Sequence, residues 1–179
     1  SSDTTYLSAA GALVRAGIVS FKLYFLLGVP GLSRGEEVGG ISGFTDRFRE
    51  PVLAEARGVG RMGTITLALS PFVPKPFTPF QWEPMIGPAE TRRRQALIAA
   101  ELGGRHGAIH FKPHDSRQSS IEGALALGDR RAGTAVLSAY RRGQRLDGWT
   151  AWFDERRWLD AFADCERAHG VGIDWVAHR

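Results

Sequence analysis

The sequence predicts an α/β fold with parallel strands, followed by a mostly helical C-terminal part. Three observations carry this reading: an apolar run at 19–27 closed by Gly28-Val29-Pro30-Gly31, an alternating run at 64–70, and helical periodicity before, between and after them. Helices that separate strands imply right-handed crossovers and a parallel sheet, either doubly wound or a TIM-type barrel. Both architectures place ligands at the carboxyl ends of their strands, so the turns after Leu27 and after Ser70 are expected to converge.

Ser2 or Asp3 can cap a first helix whose Tyr6, Ala10, Leu13 and Val14 recur at helical spacing until Gly17. The nearly continuous apolar run that follows predicts a strand buried on both faces. Glu36 and Glu37 offset the positive end of a second helix, with Val38, Ile41, Phe44 and Phe48 as its buried stripe. Pro51 is expected to break or restart that helix. Ile65, Leu67 and Leu69 then alternate with small residues in a second strand.

Beyond Pro88 the pattern is mostly helical. A helix is expected over 89–102, a short strand over 109–112 before Pro113, and a capping box at Ser119-Ser120-Ile121-Glu122. Gly128-Asp129 stops one helix and caps another that runs to about Arg142. Asp154 caps a last helix with Trp158, Leu159, Phe162 and Cys165 on one face, ending at Gly170.

The segment Ser70 to Pro84 is the least ordinary in the chain. It holds five of the nine prolines and four aromatics, Phe72, Phe77, Phe80 and Trp82. Prolines fix their own φ and extend the preceding residue, so the loop loses little entropy when a flat ligand settles on it. A rigid apolar loop at a strand end serves as a ligand wall or as a cover for one end of the core, and the aromatics favour packing over the exposed polyproline role that Pro71-x-x-Pro74 superficially matches.

Composition bounds the function. With 179 residues, 43% hydrophobic, the chain is long enough for a globular core, and its formal charge of +4 comes from 20 arginines against three lysines. The longest apolar stretch, 19–29, is interrupted by Ser20 and Lys22 and is too short to cross a membrane, so the chain is read as soluble and cytoplasmic. Its start, without methionine or secretory zones, suggests a chain cut from something larger. Arginine pairs at 130–131, 141–142 and 156–157 and a triplet at 92–94 could contact phosphates, but from residue 87 onward 15 basic side chains face 12 acidic ones, as on ordinary helix surfaces. His106, His110 and His114 recur at intervals of four, yet Gly107 and Pro113 oppose the continuous helix a zinc face would need. Gly28-Val29-Pro30-Gly31 follows a strand as phosphate loops do, without the spacing of a nucleotide fingerprint. The single cysteine, Cys165, is expected to be buried and inert, and it excludes a multi-cysteine metal site built from this chain alone.

Leu23-Tyr24-Phe25-Leu26-Leu27-Gly28-Val29-Pro30, followed by Ser70 to Pro84, resembles the fifth and sixth strand ends of radical SAM enzymes. Pro74-Lys75-Pro76-Phe77-Thr78-Pro79 is similar to the proline-basic-proline segment of the radical SAM methylthiotransferases. Its extension Phe80-Gln81-Trp82-Glu83 resembles a bacterial group that joins a cobalamin-binding-type domain to a radical SAM barrel, as do Gly128 to Arg131 and Phe153 to Phe162 in that group's helical extension.

The resemblance implies that residues 1–86 are the C-terminal strands and helices of a partial TIM-like parallel barrel and that 87–179 are an α-rich extension. It implies that Leu26 and Gly28 on one side, and Phe72 and Val73 on the other, wall the adenine of S-adenosylmethionine. The family's Cys-x-x-x-Cys-x-x-Cys motif is missing, and Leu32 stands where many relatives carry glutamate after the turn. The 4Fe-4S cluster is therefore expected on an upstream segment of a parent enzyme, with this chain alone inactive, contributing no catalytic or metal-ligating residue, and prone to self-association through an open sheet edge. A different class of function, an arginine-rich module holding the RNA substrate of a modification enzyme, would show as steeply salt-dependent binding.

Overall fold

The computed structural model describes residues 3–103 and 109–176. It is an α/β structure with six α-helices and a three-stranded parallel sheet, dividing into two compact units. The first comprises Ser1–Leu27, Gly31–Ser70 and Arg92–Pro113; the second comprises Gly28–Pro30, Pro71–Thr91 and His114–Arg179.

In the first unit α1 (Asp3–Arg15) leads to β1 (Ser20–Leu27), α2 (Arg34–Gly58), β2 (Thr64–Pro71, all but Pro71), α3 (Pro88–Gly103, from Arg92 onward) and β3 (Ile109–Pro113). The strands lie side by side in chain order, β1-β2-β3. Thr64 N–H donates to Val19 O at 2.9 Å, so β1 and β2 start together, while Thr66 pairs with His110 and Ala68 with Lys112 across the parallel β2–β3 ladder. Strands that start together and run the same way end together, which places Leu27 and Ser70 at the same edge of the sheet.

One face of this sheet is covered by helices. Phe21 and Phe25 of β1 meet Phe48 and Phe44 of α2 edge-on, at 5.4 and 6.0 Å between ring centres. On β2, Ile65, Leu67 and Leu69 are buried. α1 packs along α2, tied by Arg15–Glu55 and Asp3–Arg47 ion pairs, and α3 is tied to α2 by the buried pair Arg94–Glu37 at 2.8 Å. On the opposite face Lys22, Tyr24, Leu26, His110 and Lys112 are exposed. The expectation that β1 is buried on both faces is thus corrected: it is an edge strand covered from one side only, and its apolar outer residues belong to the open face. On α1, Ala10 and Val14 are buried as expected, whereas Tyr6 and Leu13 are exposed; Ser2 lies outside the described residues.

The turn from β1 to α2 is closed by a capping box that sequence reading missed. Ser33 Oγ accepts from Glu36 N–H, and the Glu36 carboxylate accepts from Ser33 N–H. Those bonds hold the Glu36 carboxyl below its usual range. α2 then runs unbroken through Pro51, against expectation. A mid-helix proline costs roughly 3 kcal/mol, and burial of Val38, Ile41 and Phe48 before it and Val52 and Ala56 after it offsets that cost.

The second unit contains α4 (Ser116–Leu127), a 3-10 turn at Arg130–Ala132, α5 (Gly133–Arg141), α6 (Glu155–His169) and a 3-10 turn at Ile173–Val176. Its core sets the small Ala135 and Ala139 of α5 against Trp158, Phe162 and Cys165 of α6, with Ile121 and Ala124 of α4 closing it. Asp154 caps α6 and Gly170, in the left-handed region, ends it. Leu159, expected on the buried face, is 41% exposed and Ala161 takes the interior position.

The capping box predicted at Ser119 is not the start of α4. Asp115 is the cap, accepting from Arg117 N–H, while Ser119 and Ser120 lie inside the helix and bond back to the carbonyls of Asp115 and Ser116. The Arg117 side chain also donates to Asp115 and holds its carboxyl below the usual range. A folded-state pKa below the unfolded one gives stability that is present above the unfolded carboxylate range and lost as pH falls through the folded value. Asp115→Ala is therefore expected to cost about 1 kcal/mol at neutral pH. Urea titrations of both chains should show the difference shrinking as the buffer is acidified.

Candidate functional site

The two strand-end turns fall within the same compact unit, Gly28–Pro30 with Pro71–Thr91. Gly28 has φ +78°, in the left-handed region, and a Cβ at this position would lie 2.7 Å from Ile86 Cγ1. The turn after β1 is thus capped by a side chain just beyond the proline loop, and only glycine fits beneath it. Gly28–Pro30 and Pro71–Thr91 thus share one unit, and the contact shown between them is Gly28 with Ile86. Ile86 is the residue that sequence reading missed, because a contact so distant along the chain leaves no local signal.

Of the expected ligand-lining residues, Gly28, Phe72 and Val73 belong to this unit and Leu26 to the sheet unit. Leu26 is 54% exposed on the open face of β1. Phe72 is buried, edge-on to Phe80 at 6.0 Å, so it builds the loop, and Val73 is half-buried. The loop is fastened at Pro74, which is fully buried, at Met85, which packs on the helical core, and by the Lys75–Glu122 ion pair.

Between those anchors the expectation that all four aromatics pack is corrected. Phe77 is 97% exposed and Trp82 66% exposed. Phe77 also has φ +63°, a strained value for a residue with a Cβ, held by its N–H donating to Gln81 Oε1 and by Thr78 Oγ1 donating to Lys75 O. Phe77→Gly is expected to raise stability by about 1 kcal/mol, measured by urea denaturation, because the exposed ring contributes little packing.

The arginine pairs on the helices are largely matched. Arg131 meets Asp129 at 2.8 Å, Arg142 meets Asp164 at 2.7 Å, and Arg156 meets Asp160 at 3.3 Å. The Ser138 hydroxyl and Arg142 hold the Asp164 carboxyl below its usual range. Of the histidines, His110 is on β3 and His114 follows it, so they share no helix; His106 lies outside the described residues. Among the described residues no group of three or more His, Cys, Asp or Glu side chains stands together as a metal site. Cys165 is buried, its Sγ donating to Arg131 O at 3.3 Å. No helix among the described residues is long and apolar enough to cross a membrane.

No protein-family model, curated protein or solved structure matches the chain.

Proposed function

We propose that the chain is the C-terminal part of a radical SAM enzyme, contributing the last strands of a partial TIM-like barrel and one wall of the S-adenosylmethionine site. The observation that carries the reading is the one-directional strand order with every linked helix on one face. Right-handed crossovers that advance in one direction lay their helices on a single side, as around a barrel and in each half of a doubly wound sheet. The open face, with Lys22, Tyr24 and Leu26 exposed, then corresponds to a barrel interior.

The free edge of β1 supports the further proposal that upstream strands complete the sheet. Beside that edge lies an apolar groove of about 540 Å³, lined among others by Tyr6, Leu13, Phe21, Phe25 and Phe44. An additional parallel strand joined to β1 through α1 would fill it.

In this reading the turn at Gly28 and the loop at Phe72 and Val73 give the adenine an apolar surface and strand-end backbone groups. A 4Fe-4S cluster is held by several cysteine thiolates, and one buried cysteine does not fit that requirement. The role of these residues is to bind and orient the nucleoside and to exclude water from it.

The chain is expected to bind S-adenosylmethionine in competition with adenosine and to take up no stoichiometric cluster when incubated with iron and sulfide. A stoichiometric 4Fe-4S spectrum, or no S-adenosylmethionine binding, contradicts the reading. By light scattering the chain is expected to self-associate through the β1 edge, and a clean monomer contradicts the open-edge part of the proposal.

A further inference from the structure

We infer that the face of the helical unit between Tyr140 and Arg157 is a docking surface for single-stranded nucleic acid. The inference does not depend on the adenine site proposed above. The surface lies wholly within one compact unit and joins two features, an arginine-lined cleft and exposed flat rings.

The cleft has a volume of about 640 Å³ and is lined by Arg117, Arg145, Trp152, Phe153, Arg156 and Arg157. Asp154 and Glu155 also line it. Arg157 meets Asp154 at 3.1 Å, Arg117 meets Asp115 at 2.6 Å and lies 3.8 Å from Glu155, and Arg156 meets Asp160 at 3.3 Å. Arg145 has no carboxylate partner among the described residues: its guanidinium lies 3.6 Å over the Tyr140 ring and donates to the carbonyls of Tyr140 and Gln144. Arg145 is thus the guanidinium of the cleft left without a carboxylate, already stacked on an aromatic face.

Trp149, Trp152 and Tyr140 are 70%, 61% and 57% exposed. Their turn is fixed from within. Gln144 is buried and its side-chain amide donates to Asp147 Oδ1 and to Trp152 O, while Trp149 O accepts from the N–H groups of Trp152 and Phe153. Large apolar rings held outward by a braced turn lose little conformational freedom when they stack on a partner.

Guanidinium groups answer phosphates, and exposed rings answer bases. A duplex hides its base faces in its own stack, so only a single strand gains from the rings. An acidic peptide offers no flat faces, and a concave cleft follows a strand better than a flat bilayer.

The test uses the full chain and a fluorescein-labelled oligouridylate of about ten nucleotides, followed by anisotropy and by tryptophan fluorescence. Binding that quenches tryptophan emission and weakens with salt is expected, with log K falling about 0.7 per log salt for each phosphate engaged. Trp149→Ala and Trp152→Ala should each weaken binding about tenfold or more, Trp152→Phe should retain most of it, and Arg145→Gln should flatten the salt dependence. Circular dichroism confirms that the variants fold. Absent binding, equal affinity of the tryptophan-to-alanine variants, or equal or tighter binding of the annealed duplex, of polyglutamate or of phosphatidylserine vesicles would each overturn the inference.

Discussion

Arg94→Met is expected to destabilise the protein by about 3–5 kcal/mol, the largest effect of any single substitution considered. The Arg94 guanidinium and the Glu37 carboxylate are 2.8 Å apart with side chains only 10% and 2% exposed. Removing the cation takes from a buried carboxylate the counter-charge that Arg94 supplies, whereas replacing both partners by apolar residues of similar volume is close to neutral. Glu37→Leu combined with Arg94→Met should therefore recover most of the loss in urea denaturation. A single variant as stable as the parent, or a double variant no better than the single, would show that this pair does not join α2 to α3.

Gly28→Ala is expected to cost about 2–5 kcal/mol, combining the left-handed backbone penalty with overpacking against Ile86. The added methyl would sit 2.7 Å from the Ile86 side chain. Ile86→Ala should relieve the second contribution and leave the first, so the two substitutions should couple in a double-mutant cycle read by denaturation. Additive costs would mean that Gly28 and Ile86 do not touch. Loss of S-adenosylmethionine binding by Gly28→Ala is expected to accompany the loss of stability.

Much of the architecture is legible from residue pattern, and the exceptions share a cause. Ile65, Leu67 and Leu69 alternate with small residues, and the central strand they form buries all three. In β1 a continuous apolar run looks like a central strand, but Tyr24 and Leu26 are exposed, because sequence does not say whether a strand has a neighbour on both sides. Pro51 reads as a break, and only the tertiary burial of α2 on both sides of it reverses that. Ser119 to Glu122 has the residues of a cap but lies one turn inside a helix that Asp115 starts.

The candidate site divides in the same way. Gly28 stands out locally, since glycine and proline punctuate the strand end, while Ile86 resembles any other apolar residue until the fold brings it over the turn. The exposure of Trp149 and Trp152 leaves no local sign in the sequence and follows from the way Gln144 braces the turn from inside.

The central claim is that two strand-end turns meet to seat a nucleoside base. An NMR titration of the labelled chain with S-adenosylmethionine tests it most directly. The account predicts saturable shifts at Gly28, Phe72 and Val73 and at the Ile86 methyl groups, reproduced by adenosine alone. Shifts absent from these positions, or confined to residues remote from both turns, would contradict it.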